Sequence, residues 1–339
     1  MTHEKTATST RIATVGLGQQ GQGIARLLEE AGYQLVGGVD IGDKVGKKIS
    51  DFANGVTGEA TVYGSVTELI SAVDDLDVIV LAAAISLEIT VGQAREAFEA
   101  GINVLTLQPD LFEPTPDWAD ELQAIGEKTG ASLLATGVQD PWWVQMPSVA
   151  AASTVNIRSV QVEHLIDLES IAAGIMTSIG VNVPASEFGP YQEGIEALPP
   201  ILGGPLRLAA VAMGMVPGEV SAQIVPYVAE SDVRWNSGDT VIPAGNITGY
   251  EEVTTFTTDA GVEFRGFLRL RPLVGDEVPS DELTIDGDPS LHLRNAPFPG
   301  QQVTNIALVA RIPDIIAAPG GVHSPADLGP ARYRPPVAR

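Results

Sequence analysis

Residues 11–40 read RIATVGLGQQGQGIARLLEEAGYQLVGGVD, and this stretch decides the fold. The mostly apolar segment Arg11–Leu17 predicts a buried strand. Apolar side chains then recur at helical spacing over Gln22–Ala31, which predicts a helix, and Gln34–Val39 predicts a second strand. A glycine-rich turn, residues 16–21, joins the first strand to the helix. This order of elements indicates the start of a doubly wound parallel sheet.

The turn reads GLGQQG and has the G-x-G-x-x-G spacing of dinucleotide-binding sites. Gly16 allows a tight turn, Gly18 lets the backbone approach a pyrophosphate, and Gly21 lets the helix pack closely on the strand. The start of the helix offers N–H groups and a positive dipole end to the anion. The alternative is an ordinary glycine turn without a ligand. The predicted cofactor contacts of the turn are Gly16, Gly18, Gln19, Gln20 and Gly21.

An acidic residue, Asp40, ends the second predicted strand about 20 residues beyond the turn. An acid at this position accepts hydrogen bonds from the adenine ribose, and its charge opposes the 2′-phosphate of NADP. We therefore predict NAD as the cofactor. NADP stays an alternative because three lysines of the next loop can offset the charge of its 2′-phosphate. The other interpretation of these lysines is a solvated basic cluster. They are Lys44, Lys47 and Lys48.

Short apolar runs continue to alternate with helical patterns up to residue 136, as in a parallel sheet covered on both faces. One predicted strand, Val78–Ala84, ends in small residues that let a nicotinamide nucleotide lie close to the backbone. Tight packing of a helix on the strand is the alternative. The predicted cofactor contacts at this strand end are Ala82, Ala83 and Ala84.

The pattern changes near Trp142, after which segments rich in β-formers predict an α+β domain with a mixed sheet. Residues Gln301–Ile316 return to a helical pattern that Pro313 interrupts. The expected fold is therefore an α/β protein of Rossmann type. A doubly wound domain is predicted over residues 1–145 and 301–330, an inserted α+β domain over 146–300, and a loose tail over 331–339.

Composition excludes several classes of function. The chain has no cysteine, which excludes disulfides and thiolate chemistry, and its four histidines lack the spacing of metal ligands, so no metal site is predicted. A net charge of −24 opposes binding to nucleic acid. The sequence has neither an apolar run long enough to cross a membrane nor an apolar leader near Met1, so we expect a cytoplasmic protein without a membrane partner.

Two groups of residues are candidates for the substrate site. The first follows the predicted strand Asn103–Leu107, where a carboxylate can hold a cationic amine or transfer a proton; a helix cap or a surface loop is the alternative. Its members are Gln108 in the pocket and Asp110 and Glu113 as catalytic acids, with Asp110 preferred.

The second group lies where the pattern changes. Paired tryptophans can wall an apolar pocket or pack between domains, and Asp140 can line that pocket or cap the following helix. His164 on the next predicted strand can relay a proton near neutral pH or serve as a structural histidine. The predicted pocket residues are Asp140, Trp142 and Trp143, and His164 is a third catalytic candidate.

Five segments of the chain together carry a resemblance to a known family: GLGQQGQG (16–23), GVD (38–40), ATGVQDPWW (135–143), VQVEHLID (160–167) and TNIALVARIPDIIAAP (304–319). They resemble the 2,4-diaminopentanoate dehydrogenase and native amine dehydrogenase family, which shares its N-terminal domain with dihydrodipicolinate reductase-like enzymes. The resemblance implies NAD(P)-dependent hydride transfer at a carbon–nitrogen bond, as an amine dehydrogenase or an imine reductase. It also implies a homodimer that binds a small-molecule substrate in a cleft between its domains.

The sequence departs from this family at two places. The His-His and Lys-x-x-x-Ser-Gly-Thr segments of dihydrodipicolinate reductase are absent, so that activity is not expected. The A-E-E-like segment of the amine dehydrogenases falls on Pro109 and Asp110, so its acid is lost, moved or supplied by Asp110. Two alternatives follow: an NAD(P)-dependent carbonyl or alcohol oxidoreductase, and a cofactor-binding sensor without turnover.

Overall fold

The computed structural model describes residues 9–83, 86–171, 173–235 and 240–333. The described residues within Met1–Pro141 and Gln301–Arg339 form one unit, and those within Trp142–Gly300 form a second. None of the helices in this part of the chain combines the length and the apolar character that a membrane crossing needs. Within the same residues, no three His, Asp or Glu side chains are grouped to hold a metal ion.

The first unit begins with alternating strands and helices, as its apolar periodicity predicts. Its fourth and sixth strands are buried along their whole length, which is the pattern of a sheet covered on both faces. The strands are β1 (Arg11–Val15), β2 (Gln34–Val39), β3 (Thr61–Tyr63), β4 (Val78–Leu81), β5 (Asn103–Thr106) and β6 (Ser132–Ala135). The helices are α1 (Gln19–Glu30), α2 (Val66–Ala72), α3 (Leu87–Glu99) and α4 (Pro116–Thr129).

The second unit is an α+β unit. A π-helical turn, Asp140–Gln145, includes the last two residues of the first segment of the first unit and the first four residues of the second unit. Its helices are α5 (Met146–Ala151), α6 (Ala173–Ser178), α7 (Gly189–Glu196) and α8 (Gly203–Ala212). Its strands are β7 (Val155–Asp167), β8 (Ser221–Val228), β9 (Val233–Trp235), β10 (Thr240–Ile242), β11 (Ile247–Thr257), β12 (Glu263–Arg271), β13 (Ser280–Asp288) and β14 (Leu291–Asn295).

Six of these strands, counted over the described residues, form one mixed sheet in the order β14-β13-β7-β12-β11-β8. Strand β12 runs parallel to β7, and the other neighbours are antiparallel. Helix α8 packs on one face of this sheet. Its Leu206 side chain lies so close to Gly266 of β12 that a Cβ there would be 2.9 Å away. The opposite face carries ion pairs such as that of Arg269 with Glu163 and Glu251. His164 and Asp281 are register partners on β7 and β13, so they share a face.

The chain then returns to the first unit through α9 (Gly300–Ala317), β15 (Gly321–His323) and α10 (Pro325–Leu328). Counted over the described residues, the completed sheet has seven parallel strands in the order β15-β6-β5-β4-β1-β2-β3. This confirms the predicted Rossmann-type sheet with a second, mixed-sheet domain inserted before a returning helix. The order reverses between β1 and β4, and ligands of such sheets bind at the carboxyl ends of strands beside that reversal.

Helix α9 is continuous through Pro313, so the predicted interruption is wrong. A proline inside a helix removes one hydrogen bond and crowds the preceding turn, at about 3 kcal/mol. The face formed by Leu308, Ile312 and Ile315 is completely buried against the core of the first unit. Burying these three side chains contributes about 1.5–3 kcal/mol each, which offsets the proline.

Candidate active site

Two glycines of the turn after β1 are required by the fold itself. Gly16 has a positive φ of 83°, and a Cβ there would lie 2.6 Å from the Cα of Ala83 at the end of β4. A Cβ on Gly21 would lie 1.8 Å from the carbonyl oxygen of Gly16. Side chains at either position would therefore displace backbone. Because Gly16 has no side chain, the turn lies directly against the end of β4, where the strand order of the sheet reverses.

Gly18 differs from these two glycines. It is exposed, its φ of −69° and ψ of −166° suit any residue, and a Cβ there would meet no described atom within 4 Å. It immediately precedes α1, whose start receives no side-chain cap from the described residues. Packing does not require glycine at this position, although glycine is one of the residues favoured where a helix begins. The open space in front of an uncapped helix start fits the approach of an anionic group.

The amides of Gln19 and Gln20 face the start of α9. The Nε2 of Gln19 donates to Gln301 Oε1 at 3.1 Å, and the Nε2 of Gln20 donates to the Gln301 carbonyl at 3.3 Å. These bonds join the first turn of α1 to the returning helix within the first unit. Their cofactor contacts stay predictions.

The carboxylate of Asp40 is bound to the glycine turn. Its Oδ2 accepts from the Leu17 N–H at 2.9 Å, and its Oδ1 accepts from the Ile41 N–H at 2.7 Å. Lys44 Nζ lies 2.8 Å from the same Oδ2. Burial alone would raise the pKa of Asp40, but the hydrogen bonds from Lys44, Ile41 and Leu17 together lower it. The carboxylate is therefore ionised and fixed beside the turn, as an acceptor of ribose hydroxyls must be.

Of the three alanines predicted to contact a cofactor, Ala82 and Ala83 lie at the end of β4. The N–H of Ala82 donates to the Val15 carbonyl at 2.8 Å, and Ala83 is the residue that Gly16 approaches. Ala84 lies outside the described residues. The small side chains permit the close contact with Gly16, so tight packing explains them as well as a ligand does.

The carboxylate candidates follow β5 as predicted. Asp110 lies in a short 3₁₀ helix, Pro109–Leu111, and its Oδ2 accepts a hydrogen bond from Gln108 Nε2 at 2.9 Å. Both Asp110 and Glu113 are partly buried. The structure thus brings Gln108 and Asp110 together at the carboxyl end of a strand of the parallel sheet. Such strand ends are where catalytic residues of this architecture lie.

Asp140 has a structural partner that the sequence did not reveal. Its two carboxylate oxygens accept from Arg311 of α9, with Nε–Oδ2 and Nη2–Oδ1 distances of 2.6 and 2.7 Å, and Oδ2 also accepts from Thr136 Oγ1 at 2.9 Å. Both members of the pair are 0% exposed. The Asp140 carboxylate therefore binds Arg311 and Thr136, and it does not cap the helix that follows it. This bidentate pair instead holds the returning helix against the end of β6.

An aromatic cluster in the second unit contains three of the predicted residues. Trp142 packs edge-on against Phe298, with 5.4 Å between the ring centres. The ring centre of His164 lies 5.1 Å from that of Trp143 and 5.6 Å from that of Phe298. The Trp143 indole donates to Asp281 Oδ2 at 2.8 Å. His164 Nδ1 lies 3.1 Å from the same oxygen, although it has no hydrogen-bonding geometry toward any described atom. Trp143, His164 and Asp281 are all buried, with a nitrogen of each ring close to the Asp281 carboxylate.

Asp281 and Arg311 are buried charged residues that were not among the predicted site residues. The sequence pattern indicates that each is buried. Alternation along β13 puts Asp281 on the same face as the apolar Leu283 and Ile285. Helical spacing puts Arg311 on the same face of α9 as Leu308 and Ile315. A charged residue on an apolar face indicates a buried partner. The identity of that partner depends on tertiary structure.

A family model for the 2,4-diaminopentanoate dehydrogenase C-terminal domain matches residues 146–333, which is more than half of the chain. The chain belongs to the 2,4-diaminopentanoate dehydrogenase family. It is therefore an oxidoreductase of the dehydrogenase class, as the resemblance implied. No curated protein matches the sequence of this dehydrogenase.

Solved structures show the same architecture over nearly the whole dehydrogenase. An amine dehydrogenase from Mycobacterium smegmatis is 27% identical, with a TM-score of 0.86, and the match covers 96% of this chain and 97% of that chain. A myo-inositol 2-dehydrogenase from Lactobacillus plantarum is 15% identical with a TM-score of 0.57, covering 91% and 88%. GenD2 from gentamicin A biosynthesis, solved in complex with NAD, is 17% identical with a TM-score of 0.52, covering 87% and 73%. The last two are similar in fold only.

Proposed function

We propose that the protein is an NAD(P)-dependent amine dehydrogenase that transfers a hydride at a carbon–nitrogen bond, or reduces the corresponding imine. The proposal that the protein binds NAD(P) rests mainly on Gly18. This exposed glycine is not required by packing, and it lies at a helix start that has no side-chain cap. Gly18 lets a pyrophosphate reach the N–H groups at the start of α1. The Asp40 carboxylate accepts hydrogen bonds from the hydroxyls of the adenine ribose. When bound, the nicotinamide supplies or accepts the hydride.

We expect NAD to be preferred over NADP, because the Asp40 carboxylate lies where a 2′-phosphate would approach. Support for a nicotinamide dinucleotide also comes from the sheet order, since the turn after β1 and the end of β4 flank the reversal. Ala82, Ala83 and Ala84 are proposed contacts of the nicotinamide half. Gln19 and Gln20 are proposed contacts at the helix start.

The proposal of an amine substrate rests on similarity to the amine dehydrogenase from Mycobacterium smegmatis. The match covers 96% of this chain. The chemistry of that reaction needs a group that holds a cationic nitrogen or moves its proton. Asp110, with Gln108 as its hydrogen-bond donor, is the proposed group, and Glu113 is the second candidate. In the second unit, Trp142 and Trp143 are proposed pocket residues, and His164 is the third catalytic candidate.

A substrate panel tests the reaction class. Primary amines and the matching secondary alcohols are each incubated with oxidised NAD, and the reduced form is followed by its absorbance. We expect reduction with amines, and consumption of NADH by a ketone only when ammonia is present. Reduction by alcohols and not by amines would instead support a carbonyl or alcohol oxidoreductase. NAD binding without turnover of either class would support a sensor.

Replacing Asp110 with asparagine tests the assignment of the carboxylate. The amide keeps the size of the side chain but holds no charge and takes up no proton, so we expect kcat/KM for the best amine to fall at least about 100-fold. The matched control is Asp120→Asn on the exposed surface of α4, which should change kcat/KM by less than about two-fold. Equal values for Asp110→Asn and wild type would remove Asp110 from the mechanism.

We further propose that the enzyme works in the cytoplasm as a homodimer. The support for a dimer is the family resemblance. A dimer would have twice the 35.4 kDa mass of the chain.

A further inference from the structure

The three lysines that follow Asp40 have separate ion-pair partners. Lys44 Nζ lies 2.8 Å from Asp40 Oδ2, whereas Lys47 Nζ lies 3.3 Å from Asp43 and Lys48 contacts Glu59. The side chain of Lys44 is 28% exposed, against 49% for each of the other two. Lys44 is thus the one of the three whose charge acts on the acid beside the turn.

The backbone places Lys44 in this position. A short 3₁₀ helix, Gly42–Lys44, follows β2 and brings the lysine back over Asp40. Its ammonium also donates to the Leu17 carbonyl at 2.9 Å and lies 5.7 Å from the centre of the Phe52 ring. The Asp40 carboxylate accepts from the Leu17 N–H, so one ammonium and one carboxylate both bind the same residue of the glycine turn.

This pairing changes what the acid does to an approaching phosphate. A lone carboxylate repels the 2′-phosphate of NADP, but a carboxylate neutralised by an ammonium 2.8 Å away repels it much less. The ammonium has three N–H donors, and two of them are used by Asp40 and Leu17. A third donor is therefore left for a phosphate oxygen, whereas the ribose hydroxyls of NAD need only the carboxylate.

We propose that Lys44 is the specificity-determining residue of the adenosine site, and that it allows the enzyme to bind 2′-phosphorylated as well as unphosphorylated nicotinamide dinucleotides. This inference rests on the proposed cofactor site. It limits the NAD preference that Asp40 alone would give. Lys47 and Lys48, which neutralise other carboxylates, contribute little to the choice.

Binding measurements test the inference without turnover. The dissociation constants of NADH and NADPH, and of the fragments 5′-AMP and adenosine 2′,5′-bisphosphate, are measured by calorimetry for wild type, Lys44→Met and Lys47→Met. Removing one charge-assisted hydrogen bond to phosphate should weaken NADPH relative to NADH by about ten-fold or more in Lys44→Met. The fragment pair should show the same change, and Lys47→Met should shift the ratio by less than about three-fold.

A third variant, Lys44→Arg, separates the charge from the packing of the lysine. It should keep the wild-type ratio within about three-fold, because the guanidinium also donates to phosphate. Equal weakening of NADH and NADPH in Lys44→Met, or the same ratio in Lys44→Met and Lys47→Met, would overturn the inference and leave the cofactor site standing. Failure of wild type to bind either dinucleotide would overturn the proposed function together with the inference.

Discussion

Replacing Gly18 with valine is expected to weaken NADH binding by at least about 100-fold, which corresponds to the loss of two charge-assisted hydrogen bonds. A valine Cβ at this position meets no described atom within 4 Å, and the backbone angles are ordinary. The melting temperature should therefore fall by no more than about 4 °C, which is the effect expected from losing a favoured residue at a helix start. The effect on binding would come from the side chain occupying the space through which the pyrophosphate reaches the start of α1.

The matched control for this experiment is Gly194→Val. Gly194 is also exposed, and a Cβ there also has open space, but it lies in α7 of the second unit. This variant should bind NADH as wild type does. If Gly18→Val bound NADH with wild-type affinity, the turn would not be the pyrophosphate site. Calorimetry for binding and a thermal melt for folding distinguish these outcomes.

Replacing Arg311 with methionine is expected to lower the free energy of unfolding of the first unit by about 3–5 kcal/mol. Arg311 and Asp140 are both 0% exposed and form two short hydrogen bonds. Removing the guanidinium leaves a carboxylate without its cation in a site that water does not reach, and such a group is strongly destabilising. Urea denaturation followed by circular dichroism measures the effect as a lower midpoint.

An exposed ion pair in the same unit provides the comparison for Arg311→Met. Arg26 and Glu30 are 3.5 Å apart with side chains 44% and 58% exposed. Arg26→Met should therefore change the free energy of unfolding by less than about 1 kcal/mol. Similar effects of the two substitutions would show that the buried pair does not hold α9 in place.

The parts of the fold that follow local rules could be predicted from the sequence. Gly16 and Gly21 are needed because backbone lies within 2.6 and 1.8 Å of where their side chains would be, and that need appears in the sequence as fixed spacing. Asp40 likewise directly follows a strand whose limits, Gln34–Val39, agree with the prediction. Each of these features depends on neighbouring residues and on the geometry of one strand–turn–helix unit.

Features that depend on distant partners could not be predicted. Asp140 and Arg311 are separated by 171 positions, and Trp143 and Asp281 by 138. Spacing in the sequence gives no information on such contacts, because they form only when the sheets assemble. The continuity of α9 through Pro313 has the same origin, since burial of Leu308, Ile312 and Ile315 outweighs the local preference.

The most direct test of a cofactor site at the glycine turn is calorimetric titration of the wild-type protein with NADH. A dinucleotide site at the glycine turn predicts saturable binding of one molecule per chain, with a dissociation constant between about 1 μM and 1 mM. The melting temperature should rise with ligand concentration, because only the folded state binds. An absence of binding heat together with an unchanged melting temperature, at millimolar NADH and NADPH, would contradict the assignment of the turn as a cofactor site.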